Sequence, residues 1–241
     1  MSDTDFAWQA GICQPVPWRH PALPGSVALH CVPFDADCFD TASFQRSGIA
    51  CPPEIAKAVH KRQAEYFYGR LCARAALQAY HCAGDVGTGA MRAPAWPDGM
   101  VGSITHGRRL AAAVAVPAHS CRGIGIDFED IVTPQARDAL CSGVVSPQEV
   151  GLLEQFSIHL DPDILLTLIF SAKESFFKAT SAAVGRYFGF DAIVLRDIDL
   201  QRQRLLFDVA TPLCASWQPG APAQVAYCHP FAGGVATLFA W

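Results

Sequence analysis

Apolar and polar positions along the first half of the chain predict a strand, a long helix and two short strands. The first strand is predicted at 27–33, and helical character extends from 54 to 81, after which Gly84 provides a stop. The segments VGSI and LAAAVAV predict two strands around a turn at 106–109. This half therefore predicts a long helix beside antiparallel strands.

The second half repeats that order of elements. It begins with GIGIDFEDI, which alternates as a strand does, and two short helices are predicted at 134–141 and 147–156. Asp161, with Pro162 in the first turn, begins a long helix that runs to about 184. Further strands are predicted at the following positions: 193–199, 204–210, 224–228 and 235–240. The pattern indicates an α+β protein of two similar lobes, joined near Arg122.

The amino-acid composition is that of a globular protein and does not favour nucleic-acid binding. The chain has 241 residues, 51% of them hydrophobic, so it can bury a sizeable core. Its 22 acidic and 18 basic residues give a net charge of -4 and form no basic stripe, so we expect no nucleic-acid partner. None of the ten cysteines forms a C-x-x-C pair, and we expect them to be reduced and mostly structural.

The start of the chain and its apolar runs indicate where in the cell the protein is expected. The start MSDTDFAWQA has two aspartates and no apolar stretch typical of a secretory signal. Runs such as LAAAVAVPA are far shorter than the roughly 20 residues that span a membrane. We therefore expect a cytoplasmic protein with no membrane partner.

Two acids in GIGIDFEDI share one face of the predicted strand. Asp127 and Glu129 are two residues apart, whereas Asp130 points to the opposite face. Neighbouring carboxylates repel one another unless a cation lies between them, and oxygen ligands suit Mg²⁺. The alternative is a strand end that carries two solvated acids.

The helical segment FSAKESFFKAT carries three charges among phenylalanines. Glu174 and Lys178 lie one turn apart on the same face, and Lys173 is about 100° round the helix from Glu174. A buried carboxylate between two lysines is costly unless it serves a metal or a charged ligand. The alternative is an exposed ion pair.

The absence of other motifs excludes several enzyme classes. The chain contains no P-loop, no G-x-S-x-G and no H-E-x-x-H, and GIGIDF lacks the third glycine of a dinucleotide fingerprint. Of the scattered histidines, only His106, beside Thr105 in a turn after a strand, is placed to bind a ligand. A structural histidine is the alternative.

Taken together, four segments resemble one family. GIDFE and FSAKESFFKA are similar to the paired signature of the 4'-phosphopantetheinyl transferases of the Sfp and EntD type. KRQAEYFYGRLCARAAL and RAPAWPDGMVGSITHG match two more motifs of the EntD-like bacterial branch, and the four span residues 61–179. The resemblance implies Mg²⁺-dependent transfer of phosphopantetheine from coenzyme A to a serine of an apo acyl or peptidyl carrier protein, with release of 3',5'-ADP.

The resemblance also implies a fold and a separate role for each lobe. The α+β lobes would be related by pseudo-twofold symmetry, each with a long helix packed on a small antiparallel sheet, and coenzyme A would bind between them. Residues 1–122 would form the N-terminal lobe, which contacts the coenzyme A nucleotide. Residues 123–241 would form the C-terminal lobe, which carries the metal and the catalytic carboxylates. A monomer is the simplest expectation for two lobes that form one cleft.

Site residues follow from the same motifs. The metal ligands implied are Asp127, Glu129 and Glu174. The catalytic residues are Glu174 as base, Lys178 as its partner, and His106. The residues expected to hold coenzyme A and its phosphates are Arg62, Arg70, Arg92, Thr105, His106, Lys173 and Lys178. The sequence departs from the family pattern at Phe170, where tryptophan is usual, and at Thr105, where serine is usual.

Two other functions remain open at this point. An Mg²⁺-dependent hydrolase of nucleotide diphosphates would also need clustered carboxylates and phosphate-binding arginines. A coenzyme A-binding regulator without activity would bind its ligand regardless of Mg²⁺. The sequence also leaves open whether the carrier serves fatty-acid, polyketide or nonribosomal-peptide synthesis, the last including siderophores.

Overall fold

A computed structural model describes residues 11–23, 25–89, 92–229 and 233–241. The described residues divide into two compact units. The N-terminal unit comprises the described residues up to Ile124 together with Trp241, and the C-terminal unit comprises Gly125–Ala240. Each unit contains one long helix and one main sheet, so the predicted α+β class is confirmed. The pseudo-twofold relation stays a prediction.

The N-terminal unit is a helix packed on an antiparallel sheet. Its strands are β1 (Gln14–Arg19), β2 (Ser26–Pro33), β3 (Gly87–Thr88), β4 (Pro94–Ala95), β5 (Met100–His106) and β6 (Leu110–Pro117). Its helices are α1 (Ser43–Ser47), α2 (Pro53–Ala56) and α3 (His60–Gln78). The main sheet has the order β1-β2-β6-β5, and β3 pairs with β4. Helix α3 buries Phe67, Cys72 and Leu77 in a core that includes Val32 and Ala113.

The long helix predicted at 54–81 is two helices in the structure. The chain leaves helical geometry at Val59, whose ψ is 150°, and the Gln63 amide donates hydrogen bonds of 3.0 Å to the carbonyls of Ala56 and Ala58. The side chain of Gln63 thus stabilises the break by satisfying carbonyls that a continuous helix would pair internally. The second helix ends at Gln78, before the predicted stop at Gly84.

Of the strands described in the N-terminal unit, the edge strand β1 and the two-residue strands β3 and β4 had no prediction. Strand β1 contains Pro15 and Pro17, which weaken a strand pattern because proline cannot donate a backbone hydrogen bond. It lies at the edge of the sheet, where this loss is tolerated. Strands β2, β5 and β6 confirm the predictions made for that half of the chain.

The C-terminal unit follows the predicted order of elements. Its strands are β7 (Ile124–Asp130), whose first residue belongs to the N-terminal unit, β8 (Ile193–Asp199), β9 (Arg204–Val209), β10 (Pro222–Cys228) and β11 (Gly234–Ala240). Its helices are α4 (Pro134–Val144), α5 (Val150–Phe156) and α6 (Pro162–Val184). The sheet has the order β7-β11-β10-β9-β8. Asp161 caps α6 by accepting hydrogen bonds from the backbone of Asp163 and Ile164, as its position predicted.

Helix α6 is held to the sheet by buried hydroxyl groups. Thr237 of β11 lies 2.9 Å from the Ser171 hydroxyl and 2.6 Å from the Ser175 hydroxyl, and it donates to the Ser171 carbonyl. Paired polar groups of this kind fix one relative position of helix and strand, because any shift leaves buried hydroxyl groups unsatisfied.

All ten cysteines lie in the described part of the chain and are free thiols, as expected. Within the described ranges, none of the helices has the length and apolar character needed to cross a bilayer.

Candidate active-site residues

A cavity of about 390 Å³ lies in the N-terminal unit beside α3 and β5. Its lining includes four of the predicted phosphate-binding residues: Arg62, Arg70, Arg92 and His106. The first two lie on α3, His106 ends β5, and Arg92 precedes β4. Residues that are up to 44 positions apart in sequence therefore surround one space with three guanidinium groups and an imidazole.

Arg62 and His106 contact each other at the cavity wall. The Nη1 atom of Arg62 lies 3.0 Å from Nε2 of His106. The carboxylate of Glu65, whose side chain is 12% exposed, lies 3.4 Å from the same Arg62 atom and 3.8 Å from His106 Nε2. Glu65 therefore offsets part of the charge of Arg62, and no sequence motif pointed to this residue.

Arg70 is held with its guanidinium group partly out of solvent. Its Nη2 donates a 2.8 Å hydrogen bond to the Gly87 carbonyl, and its guanidinium carbon lies 4.6 Å from the centre of the Tyr66 ring. Burial lowers the pKa of Arg70, and Tyr66 partly opposes this. Its Nε is buried and has no hydrogen-bond partner among the described residues. A donor held in that state suits an anionic ligand.

Thr105 and Arg92 differ in how far they fit the prediction. Ile104 and His106 line the cavity, whereas Thr105, between them on β5, is buried on the opposite face. Thr105 therefore does not line this cavity, and its role at the coenzyme A phosphates stays a prediction. Arg92 lies at the cavity with a positive φ of 62°, an uncommon conformation for a residue other than glycine.

The C-terminal unit brings the predicted acids into one cluster. Asp127 of β7 is buried, and its Oδ1 accepts a 2.6 Å hydrogen bond from Lys178 Nζ on α6. Lys178 also donates to the Ile126 carbonyl at 3.1 Å. The lysine predicted to work with Glu174 thus contacts Asp127 directly.

The carboxyl groups of Glu129 and Glu174 both have raised pKa values. Burial raises the pKa of Glu129 to about 8, and Asp127 adds to the shift, while Lys178 opposes it. Burial also raises the pKa of Glu174, which Lys178 lowers and Asp127 raises further. The acids therefore influence one another, and a second positive charge among them would stabilise their ionised forms.

A glycine lets α6 approach β7 closely enough to form this cluster. A Cβ atom at Gly125 would lie 1.9 Å from the Ser175 carbonyl oxygen and 2.8 Å from the Ala179 nitrogen. Any larger side chain would push the helix away from the strand. Gly125 therefore sets the spacing between Asp127 on β7 and Lys178 on α6.

The acids form a donor set suited to magnesium. Asp127, Glu129 and Glu174 supply only carboxylate oxygens, which Mg²⁺ prefers over sulfur or nitrogen. Burial, with Asp127 as the second cause, raises the pKa of Glu129 and so disfavours its ionised form, which a bound cation would favour. Among the described residues, no group of three or more His, Cys, Asp or Glu side chains is arranged to hold a metal ion. The chemistry of the residues fits the ion.

The structure does not support the predicted role of Lys173 in phosphate binding. This lysine was predicted to bind the coenzyme A phosphates, but its ammonium group is buried and lies 2.9 Å from Glu149 Oε2. Burial lowers the pKa of Lys173, and Glu149 opposes this. Its charge is used within the protein. No local sequence pattern predicts this pair, because Glu149 lies 24 residues away in a different element.

Phe170 keeps an aromatic packing role at the position where the sequence departs from the family pattern. Its ring packs edge-on against Phe190, with centroids 5.6 Å apart. An aromatic pair of this geometry is stabilising beyond its buried area.

Comparison with known proteins gives two family matches. Residues 52–116 match the 4'-phosphopantetheinyl transferase N-terminal domain, and residues 123–228 match the 4'-phosphopantetheinyl transferase superfamily. The two matches cover most of both units.

Individual proteins are also similar to this chain. Enterobactin synthase component D of Salmonella typhi is 35% identical over 159 residues, which cover 65% of this chain and 63% of that protein. The protein of that name from Escherichia coli (strain K12) is 35% identical over 165 residues, covering 67% of this chain and 75% of the relative. The 4'-phosphopantetheinyl transferase Npt of Nocardia iowensis is 36% identical over 143 residues, or 57% and 60% of the two chains. The chain thus spans less than two thirds of the length of some relatives.

Proposed function

Because the chain belongs to the 4'-phosphopantetheinyl transferase superfamily, we propose that it transfers 4'-phosphopantetheine from coenzyme A to a serine of an apo carrier protein. The observation that carries this proposal is the placement of the charged residues. Three arginines and His106 line one cavity, and three carboxylates lie around Lys178.

The cavity of the N-terminal unit would bind the nucleotide part of coenzyme A. Arg62, Arg70 and Arg92 would donate charge-assisted hydrogen bonds to its phosphates, with His106 beside Arg62. Arg70 is held at the cavity by its hydrogen bond to the Gly87 carbonyl and by the Tyr66 ring 4.6 Å from its guanidinium carbon.

The carboxylates of the C-terminal unit would hold Mg²⁺ through Asp127, Glu129 and Glu174. When bound, the ion supplies positive charge to phosphate oxygens. Lys178 holds the Asp127 carboxylate in place through its 2.6 Å contact. Glu174, whose pKa is raised by burial, would accept the proton of the acceptor serine.

The reaction exchanges a phosphoanhydride bond of coenzyme A for a phosphoester bond to the carrier protein. The serine oxygen bonds to the phosphorus on the pantetheine side of the pyrophosphate, and the bond from that phosphorus to the bridging oxygen breaks. The pyrophosphate's other half leaves as 3',5'-ADP, with His106 placed to steady its charge. No water is consumed.

The partner in this proposal is a small apo carrier protein. Relatives carry the name enterobactin synthase component D, so we propose a peptidyl carrier of nonribosomal siderophore synthesis as the first to test, followed by acyl carriers. The proposal includes a cytoplasmic monomer with neither nucleic acid nor membrane as a partner.

Chromatography of the products distinguishes transfer from hydrolysis. Coenzyme A is incubated with the protein and Mg²⁺, with and without apo carrier protein, and 3',5'-ADP is measured. We expect release only when carrier is present, and a large loss of turnover in Glu174→Gln. Release at the same rate without carrier would favour the hydrolase instead, and near-normal turnover in Glu174→Gln would remove Glu174 as the base.

A further inference from the structure

An ion pair with no assigned role is buried in the C-terminal unit. The side chains of Lys173 and Glu149 are 1% and 0% exposed, and Lys173 Nζ lies 2.9 Å from Glu149 Oε2. Lys173 lies on α6, and Glu149 directly precedes α5. The pair therefore joins two elements in the interior of the unit.

Backbone groups complete the surroundings of both charges. Glu149 accepts a 2.7 Å hydrogen bond from the Ser146 backbone and a 2.6 Å bond from the Leu195 backbone. Lys173 donates a 2.8 Å bond to the Val144 carbonyl. The end of α4, the start of α5, strand β8 and helix α6 thus meet at one charged pair.

Stability alone gives a poor reason for such a pair. Removing two charges from water costs several kcal/mol per ion, and an apolar pair of similar volume is often as stable or more so. What the charges provide is direction, since each hydrogen bond tolerates only a narrow range of geometry. The pair restricts how α6 can rotate about its axis.

Rotation of α6 matters because Glu174 directly follows Lys173. Successive helical residues are about 100° apart, so fixing the direction of Lys173 fixes that of Glu174. The close approach at Gly125 sets the distance between α6 and β7, and the hydroxyl contacts with Thr237 hold the face of α6 that packs on β11. The Lys173–Glu149 pair adds a constraint on a different side of the helix, next to Glu174 in sequence. Glu149 and its partners lie on the side of α6 that Lys173 faces, away from Asp127, which Lys178 contacts.

We propose that the buried Lys173–Glu149 pair is a positioning device that fixes the orientation of Glu174, and with it the magnesium affinity and turnover of the enzyme. This inference rests on the proposed transferase function. Neither residue of the pair touches substrate in this proposal, and both act through Glu174.

The test removes the pair without leaving a buried charge. The double variant Lys173→Met/Glu149→Gln makes both positions neutral, and Glu149→Asp keeps the charge but draws the carboxylate back by one methylene. Arg196→Met is the control, because it breaks an ion pair with Asp208 that is exposed and lies one residue from Leu195. Each protein is measured for thermal unfolding, for Mg²⁺ binding by calorimetry without substrate, and for kcat and KM.

We expect both pair variants to fold and to bind Mg²⁺ about tenfold more weakly or worse, with a fall in kcat of about tenfold to a hundredfold. The KM for coenzyme A should stay within about twofold of wild type, since the cavity arginines are unchanged. Arg196→Met should match wild type in every measurement.

Three outcomes would overturn the inference. They are unchanged Mg²⁺ affinity and kcat in the folded variants, a loss of kcat that only follows the folded fraction, and failure of both variants to fold, which would make the pair purely structural. Absence of transferase activity in wild type would instead remove the proposed function, and the Mg²⁺ titrations would still decide whether the pair positions Glu174.

Discussion

Glu129 is half-buried among other acids, and its proton affinity therefore depends on folding. Its pKa is raised from 4.5 to about 8, so between these values the folded protein binds more protons than the unfolded chain. Stability contributed by this residue is consequently lost as the pH rises from about 5 to 8.

Replacing Glu129 tests this dependence. Without added metal, the melting temperature of wild type should fall more steeply between pH 5.5 and 8 than that of Glu129→Gln, as measured by calorimetry. Mg²⁺ at pH 8 should raise the melting temperature of wild type and leave the variant nearly unchanged. Equal pH slopes in the two proteins would show that Glu129 is not perturbed as described.

Arg70 carries the clearest prediction for the cavity. Arg70→Met should weaken coenzyme A binding about tenfold or more, because it removes charge-assisted hydrogen bonds to phosphate. Calorimetry with coenzyme A and with its form lacking the 3'-phosphate would identify which phosphate Arg70 contacts. The control is Arg46→Met, an exposed residue paired with Asp40 outside the cavity. Equal affinities for Arg70→Met and wild type would place coenzyme A elsewhere.

Most of the charged candidate residues are predictable from the sequence, because their types and spacing reflect local chemistry. Asp127 and Glu129 follow from strand alternation, and Glu174 and Lys178 follow from helical spacing. The partner of Lys173 could not be found in this way, because the contact depends on how α5 packs against α6. Thr105 was assigned with His106 although neighbouring strand residues face opposite sides.

Helix α6 and strand β7 pack at a separation that only glycine permits. Gly125→Ala should cost about 3 kcal/mol or more in free energy of unfolding, because the added methyl group meets the Ser175 carbonyl. Chemical denaturation measures this cost. It should be accompanied by weaker Mg²⁺ binding, since the helix carries Glu174.

A second glycine in the same unit is the matched control. Gly143 lies in α4, and a Cβ atom there would have no neighbour within 4 Å. Gly143→Ala should raise stability by about 0.5 to 1 kcal/mol through helix propensity alone. If both alanine variants had the same stability, the close approach at Gly125 would not be a constraint.

The elements were predicted best where a strong pattern coincides with a capping residue. Helix α6 begins after Asp161, as expected, and the strands of the C-terminal unit lie within a few residues of their predicted limits. The break between α2 and α3 was missed because it depends on the Gln63 side chain, which reaches back to backbone carbonyls. Edge strand β1 was missed because its prolines suppress the strand signal.

For the whole molecule, the two units carry different chemistry. The N-terminal unit holds the arginine-lined cavity, and the C-terminal unit holds the carboxylates and Lys178. A transferase needs both sets, whereas a coenzyme A-binding regulator would need only the first and should bind its ligand equally well without Mg²⁺.

Intact-mass spectrometry of an apo carrier protein tests the proposed function most directly. The carrier is incubated with this protein, coenzyme A and Mg²⁺, beside reactions that contain EDTA or Glu174→Gln. We predict that one phosphopantetheine is added to the acceptor serine in the complete reaction and that little or none is added in the other two. An unchanged carrier mass across peptidyl and acyl carriers, or equal addition in the presence of EDTA, would contradict the proposed mechanism.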